Sequence, residues 1–255
     1  MKITLLGTGT SQGVPVIACD CEVCKSTNLK DKRLRSSILL QWSDLNYVID
    51  TGPDFRQQML RANVNKINGI FYTHEHADHT AGLDDIRPLY FINKKPIPIY
   101  GQERVINDLK IRFNYIFTNV NRYPGAPEVT AFIPKSYRSY FIGGIEVIPI
   151  EVLHGNLPIY GYKFGNMAYI TDAKTIPDKT IALIKDIDLL IINALHHKTH
   201  KTHMNLNESL KVIEKINPKK AILTHISHHM GLYDDINETL PDNVSLGYDG
   251  MSLHL

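Results

Sequence analysis

The chain has 255 residues, 43% of them hydrophobic and 21% charged, with a formal net charge of +2. That composition excludes a disordered or fibrous protein and supplies no bulk positive charge for gripping a nucleic acid. No apolar run approaches the roughly 18–20 residues of a membrane helix, and the N-terminus has too short an apolar stretch for a signal peptide, so no membrane partner is expected. Residues 2–6 read as a strand running into Gly7-Thr8-Gly9-Thr10. All three cysteines follow within Cys19-Asp20-Cys21-Glu22-Val23-Cys24. An odd number cannot form a closed disulfide set, and reduced thiols fit a cytoplasmic location. Residues 37–42 and 46–49 read as a strand pair ending at Asp50, and residues 54–62 as a helix. Residues 69–72 form a short apolar strand ending at Thr73-His74, and residues 145–152 another ending at His154. Residues 160–164 and 167–171 flank a tight turn at Gly165-Asn166. Residues 188–193 are apolar and β-branched, hence a strand. Residues 205–216 read as a helix, with Asn205 and Glu208 at capping-box spacing and Leu206, Leu210 and Ile213 on one face. Residues 221–224 then form a strand ending at His225. Connections are short, so residues 1–255 are read as one domain, of two related halves.

Strands thus end at Asp50, His74, His154, Asp172 and His225, each a metal-ligand type placed where an apolar run stops. In layered α/β proteins, sites collect where strand ends meet loops. The densest signal is Thr73-His74-Glu75-His76-Ala77-Asp78-His79. His74 and His76 are two apart, so in extended chain they project to one side and can share one ion. Asp78 and His79 can reach a second ion if the chain turns there. Imidazole with carboxylate suits zinc, manganese or iron.

At these residues the chain resembles the metallo-β-lactamase superfamily, whose signature is His-x-His-x-Asp-His followed by a separate His, Asp and His. The resemblance covers nearly the whole chain. It implies an α/β (α+β) fold, a four-layer αββα sandwich, with two divalent metals (Zn or Mn) at one sheet edge. Carried over, His74, His76 and His154 would bind one metal, Asp78, His79 and His225 the other, and Asp172 would bridge them. Asp50 would hydrogen-bond the ligand loop and orient it. Two such cations would lower the pKa of a shared water from about 15.7 toward 7, making a bridging hydroxide available as nucleophile.

Within that superfamily, Cys19, Cys21 and Cys24 resemble the N-terminal loop of the PhnP-type cyclic phosphodiesterases. That resemblance implies one structural Zn, with His228 as fourth ligand and His229 as its neighbour in contention. The segment His200-Lys201-Thr202-His203 precedes the capped helix, where this branch places a catalytic histidine. His203 is the first choice for the leaving-group proton and His200 the second; Asp78 counts as catalytic too. Lys174 and Arg87 are possible phosphate contacts without sequence support, and His196, His197 and His254 have no role assigned. The resemblance implies a phosphoric diester hydrolase for a small anionic phosphodiester, cyclic or nucleotide-like, and allows a homodimer. The alternatives are an RNA-processing phosphodiesterase like RNase Z and a non-catalytic cofactor-handling protein like PqqB. For the former, residues 94–140 carry eight named basic side chains: Lys94, Lys95, Arg104, Lys110, Arg112, Arg122, Lys135 and Arg138. No Gly-rich clamping arm accompanies them, so nucleic acid is not the expected partner.

Overall fold

The computed structural model describes residues 1–118, 120 and 122–255. Its strands in chain order are Lys2–Gly7 (β1), Ser37–Trp42 (β2), Leu45–Ile49 (β3), Gly69–Phe71 (β4), Ile97–Tyr100 (β5), Val129–Phe132 (β6), Tyr140–Ile142 (β7), Ile145–His154 (β8), Leu157–Phe164 (β9), Met167–Ile170 (β10), Leu189–Asn193 (β11), Lys220–Thr224 (β12), Val244–Leu246 (β13) and Ser252–His254 (β14). They form two seven-stranded sheets, ordered β14-β1-β2-β3-β4-β5-β6 and β13-β12-β11-β10-β9-β8-β7.

Period-two alternation explains why the sheets stack and still need helices outside. On β2, Ile38, Leu40 and Trp42 face the second sheet, while Leu39 packs under the outer helices. On β11, Leu189 and Ile191 face the first sheet, while Leu190 and Ile192 face outward into a third cluster. Strands buried on both faces read as continuous apolar runs, which is what residues 188–193 show. Helices Phe55–Ala62 and Glu103–Arg112 cover the first sheet, and Leu206–Ile216 covers the second. The four layers are therefore helix, sheet, sheet, helix, as expected.

Each half repeats one connectivity. β1, β2 and β3 run antiparallel, then β3 through β6 are parallel. β7 through β10 run antiparallel, then β10 through β13 are parallel. Parallel neighbours bring their C-terminal ends to one edge, so the residues after β3, β4, β10 and β12 gather together. The described residues of 94–140, considered for RNA, include β5, β6 and helices between them. There Arg104 pairs with Glu75, Arg112 with Asp108 and Arg122 with Glu128. No helix among the described residues is long and apolar enough to cross a membrane.

Candidate metal centre

Asp50, Asp172 and His225 leave their strands in the left-handed region, with φ of 64°, 58° and 55°. Such backbone costs non-glycine residues about 1–2 kcal/mol each and persists where surrounding structure imposes it. At Gly52 it is space that matters: a Cβ would lie 2.1 Å from the Asp78 carbonyl oxygen. The absent side chain lets residues 50–52 sit against the ligand loop, where the Thr51 N–H donates to the His79 carbonyl at 2.8 Å.

Asp50 is fully buried. It accepts from the Thr73 N–H at 2.9 Å, the Thr73 hydroxyl at 2.8 Å and His79 Nδ1–H at 2.7 Å. The last bond fixes the imidazole, so Nε2 of His79 turns inward, 3.2 Å from Asp78 and 3.3 Å from Asp172. That nitrogen is buried without a hydrogen-bond partner. A lone pair facing two carboxylates needs a positive centre between them. Burial opposes protonation of His79, but Asp172, Asp78 and Asp50 raise its pKa well above the ordinary value. The charge of the three carboxylates thus favours a cation at this point, and the donor set fits a divalent metal.

The same logic holds on the other side of the cleft. His74 Nε2 lies 3.0 Å from His76 Nδ1, and His154 joins them with ring centroids 5.6 and 5.1 Å away. His154 Nδ1–H donates to the Thr202 carbonyl at 3.0 Å, which leaves Nε2 free as a ligand atom. Burial, followed by the neighbouring His79, holds His74 well below its ordinary pKa, so it stays neutral and able to ligate. Three ligand groups emerge: His74-His76-His154, Asp78-His79-Asp172-His225 and His154-Asp172-His203, with atoms in each within 4.8 Å of one another. Asp172 lies with His79 and His225 on one side and with His154 and His203 on the other. Burial disfavours its charge, yet His225 and His79 hold its pKa well below the ordinary value.

His203 stands beside this cleft, ring centroids 4.7 Å from His154 and 4.9 Å from His225. Its Nδ1 is buried and unpartnered, 3.8 Å from Asp172. Burial and then His225 push it down to about 3, so the ring is neutral at ordinary pH. His200 sits one step outward, centroid 5.0 Å from His203. Lys174 is ion-paired with Glu208 and Arg87 with Asp84, so neither presents a free cation to the cleft.

The cysteines meet across the chain. Cys19, Cys21 and Cys24 place Sγ 3.3, 3.5 and 3.5 Å from His228 Nδ1. Tetrahedral zinc with bonds of about 2.3 Å to sulfur and 2.0–2.1 Å to nitrogen requires sulfur–nitrogen edges of roughly 3.5 Å. The four side chains match that figure, and His228, rather than exposed His229, makes the contacts. Burial pushes the Cys24 thiol up to about 11, so a cation is needed to make it a thiolate near neutrality.

Several supporting residues have no mark in the sequence. Arg104 pairs with Glu75 at 2.7 Å, and Arg112 donates to the Glu75 carbonyl and the Thr80 hydroxyl, so two arginines clamp the ligand loop from outside. Thr73 and Thr202 orient His79, through Asp50, and His154. Thr73 could have been suspected from its place before His74; Arg104 and Arg112 stood out only as basic side chains and Thr202 only as part of the His200–His203 segment, and their partners lie too far along the chain to be read from sequence.

The family model described as "Beta-lactamase superfamily domain" matches residues 45–226. A crystal structure of a diphosphatase from the PhnP family is 41% identical, with a TM-score of 0.92, covering 99% of this chain and 96% of that one. Zn²⁺-bound PqqB from Methylobacterium extorquens has a TM-score of 0.82 over 100% of both chains at 18% identity, a likeness of fold. An octanoyltransferase of Porphyromonas gingivalis is 38% identical over 253 residues, 98% of this chain but 51% of that one. The chain spans about half the length of the curated relatives it matches.

Proposed function

The chain belongs to the metallo-β-lactamase superfamily, and from that membership we propose that it is a dinuclear metal-dependent hydrolase of small anionic phosphodiesters. The observation that carries the reading is that Asp172 lies in one ligand group with Asp78, His79 and His225 and in another with His154 and His203, while His154 also meets His74 and His76. His74, His76 and His154 would hold one cation, Asp78, His79 and His225 the other, with Asp172 between them, and Cys19, Cys21, Cys24 and His228 would hold a structural zinc. Two divalent cations supply an acidified water and neutralise charge on phosphoryl oxygens.

The chain's own residues do the rest. Asp50 holds His79 in one tautomer. The Thr202 carbonyl does the same for His154. Held neutral, His203 has no acid proton to give up; it offers its N–H as a hydrogen bond to the charge on the departing oxygen, a position neither Lys174 nor Arg87 can take while bound to carboxylates. The diphosphatase name of the 41% identical neighbour agrees with phosphorus chemistry. The octanoyltransferase name is not carried over, because half of that relative lies outside the match. The RNA-processing alternative is weakened by the pairing of Arg104, Arg112 and Arg122 with carboxylates. A non-catalytic role predicts no turnover.

The test is hydrolysis of bis(p-nitrophenyl) phosphate by zinc- or manganese-loaded protein, with metal content measured alongside. Turnover is expected with two active-site metals bound, and its absence at full loading would refute the reading. His203→Ala should lower kcat about 10²-fold or more while both metals remain, in the range for a lost hydrogen-bond donor to developing charge.

A further inference from the structure

Glu75 lies between His74 and His76 and belongs to none of the ligand groups. His74 and His76 turn to one side, Nε2 and Nδ1 3.0 Å apart, and the residue between them turns to the other. There one carboxylate oxygen of Glu75 accepts from Arg104 Nη1 at 2.7 Å, while the other is buried with no partner among the described residues. Arg104 does more than neutralise this carboxylate. Its Nη2 donates to the Pro158 carbonyl at 2.5 Å, and its Nε and Nη2 to Gln102 Oε1 at 3.1 and 2.6 Å. Pro158 is on β9, where it pairs with Leu153, the residue before His154.

One planar guanidinium thus touches both the loop that carries His74 and His76 and the hairpin that carries His154. Those three residues make up one ligand group, and they come from different sheets. The arginine itself is anchored in the first turn of the helix Glu103–Arg112, whose Val105, Ile106 and Leu109 are buried against the first sheet. About two turns along that helix, Arg112 donates to the Glu75 carbonyl at 3.1 Å. The group of Asp78, His79 and His225 has other supports: Asp50 holds His79, and Thr10 Oγ1 lies 3.3 Å from His225 Nε2. Arg104 hydrogen-bonds to neither.

We propose that Arg104 is a positioning residue: a strut that fixes the separation of His74 and His76 from His154, and so sets the affinity of that ligand group for its metal. The inference rests on the dinuclear hydrolase reading and deepens it by giving one of the two metals its own support. Charge and geometry predict opposite signs for removing the side chain. Taking one cation away from a metal site favours another there, so Coulomb attraction alone would tighten metal binding in Arg104→Ala. Loss of a strut weakens it.

The probe is Mn²⁺ alone, counted by electron paramagnetic resonance on chelator-stripped protein whose cysteine site has been refilled with Zn²⁺; manganese disfavours thiolate ligands. The wild type should bind two Mn²⁺. Arg104→Ala should weaken one of the two binding steps about tenfold or more, the usual effect of losing a group that orients ligands, and leave the other within about threefold. In a His225→Ala background, which keeps His74, His76 and His154, the same substitution should weaken the remaining site by a similar factor. An affinity that is unchanged, tightened or lowered equally at both sites overturns the strut. If Arg104→Ala does not fold, Arg104→Gln, which is too short to span both partners, must weaken the same step about threefold or more, and an unchanged or tighter step overturns the strut. Turnover of bis(p-nitrophenyl) phosphate by the loaded wild type separates the two readings. Two bound metals without turnover, with binding weakened in the variant, overturns hydrolysis and keeps the strut; turnover with no weakening in the variant does the reverse.

Discussion

Three residues of the cleft, Asp50, Asp172 and His225, share a left-handed backbone, and this predicts how the site can be dismantled. His225→Ala and His225→Gly both remove a ligand and should both abolish turnover. They differ in backbone: alanine keeps the Cβ that the left-handed region disfavours, and glycine does not. Urea unfolding in chelator should show His225→Gly to be the more stable by about 1 kcal/mol. Equal stabilities would mean that the strain is not stored at this residue. Asp50 was legible because it closes an apolar strand and carries a ligand-type side chain. Its partners were only half legible: His79 lies in the motif, but three donors meeting on one buried carboxylate is a fact of tertiary structure. Asp50→Asn should weaken metal binding ten- to a hundredfold, the usual range for a group that orients a ligand, as a metal titration would show.

At the scale of elements, helix Leu206–Ile216 shows what sequence fixes well. Its capping box is present from both directions: Asn205 accepts from the Glu208 N–H, and Glu208 accepts from the Asn205 N–H, each at 2.9 Å. Capping is local, so four residues of sequence specify it. Asn205→Ala should cost about 1 kcal/mol. The box has a pH signature. Burial opposes ionisation of Glu208, but the Lys174 ammonium and the Asn205 N–H outweigh it and hold the carboxyl below its ordinary 4.5. A depressed acid stabilises the fold above that value and loses its contribution as pH falls through the folded-state value. The stability gap between wild type and Glu208→Gln should therefore narrow below pH 4.5, and a gap independent of pH would refute the assignment. Strands β5, β6, β7, β13 and β14 escaped the sequence reading. They have three or four residues each. Such runs lack the length for periodicity to show, and β14 is recognisable only through its pairing with β1, some 250 residues away in sequence.

At the scale of the molecule, the candidate metal ligands come from both sheets: His74, His76, Asp78 and His79 follow β4, while His154, Asp172 and His225 end or follow strands of the other sheet. The sequence marked these candidate residues but not the contacts that set the spacing between the sheets. Among those, the Tyr160 N–H donates to the Thr73 carbonyl at 3.0 Å, and the Tyr162 hydroxyl to the Tyr72 carbonyl at 2.7 Å. Tyr162 also packs against Phe71, centroids 5.1 Å apart, in the core between the sheets. Tyr162→Phe keeps that packing and strips one buried carbonyl of its partner, costing about 1–3 kcal/mol. It should also weaken metal binding several-fold although it touches no ligand, and unchanged metal affinity would show the sheets to be positioned by other contacts. The cleft in this way acts as a strain gauge across the sandwich. A side chain buried far from the metals that shifts one sheet against the other would register as a change in metal affinity, so a metal titration across a panel of core variants would map how rigidly the two halves are joined.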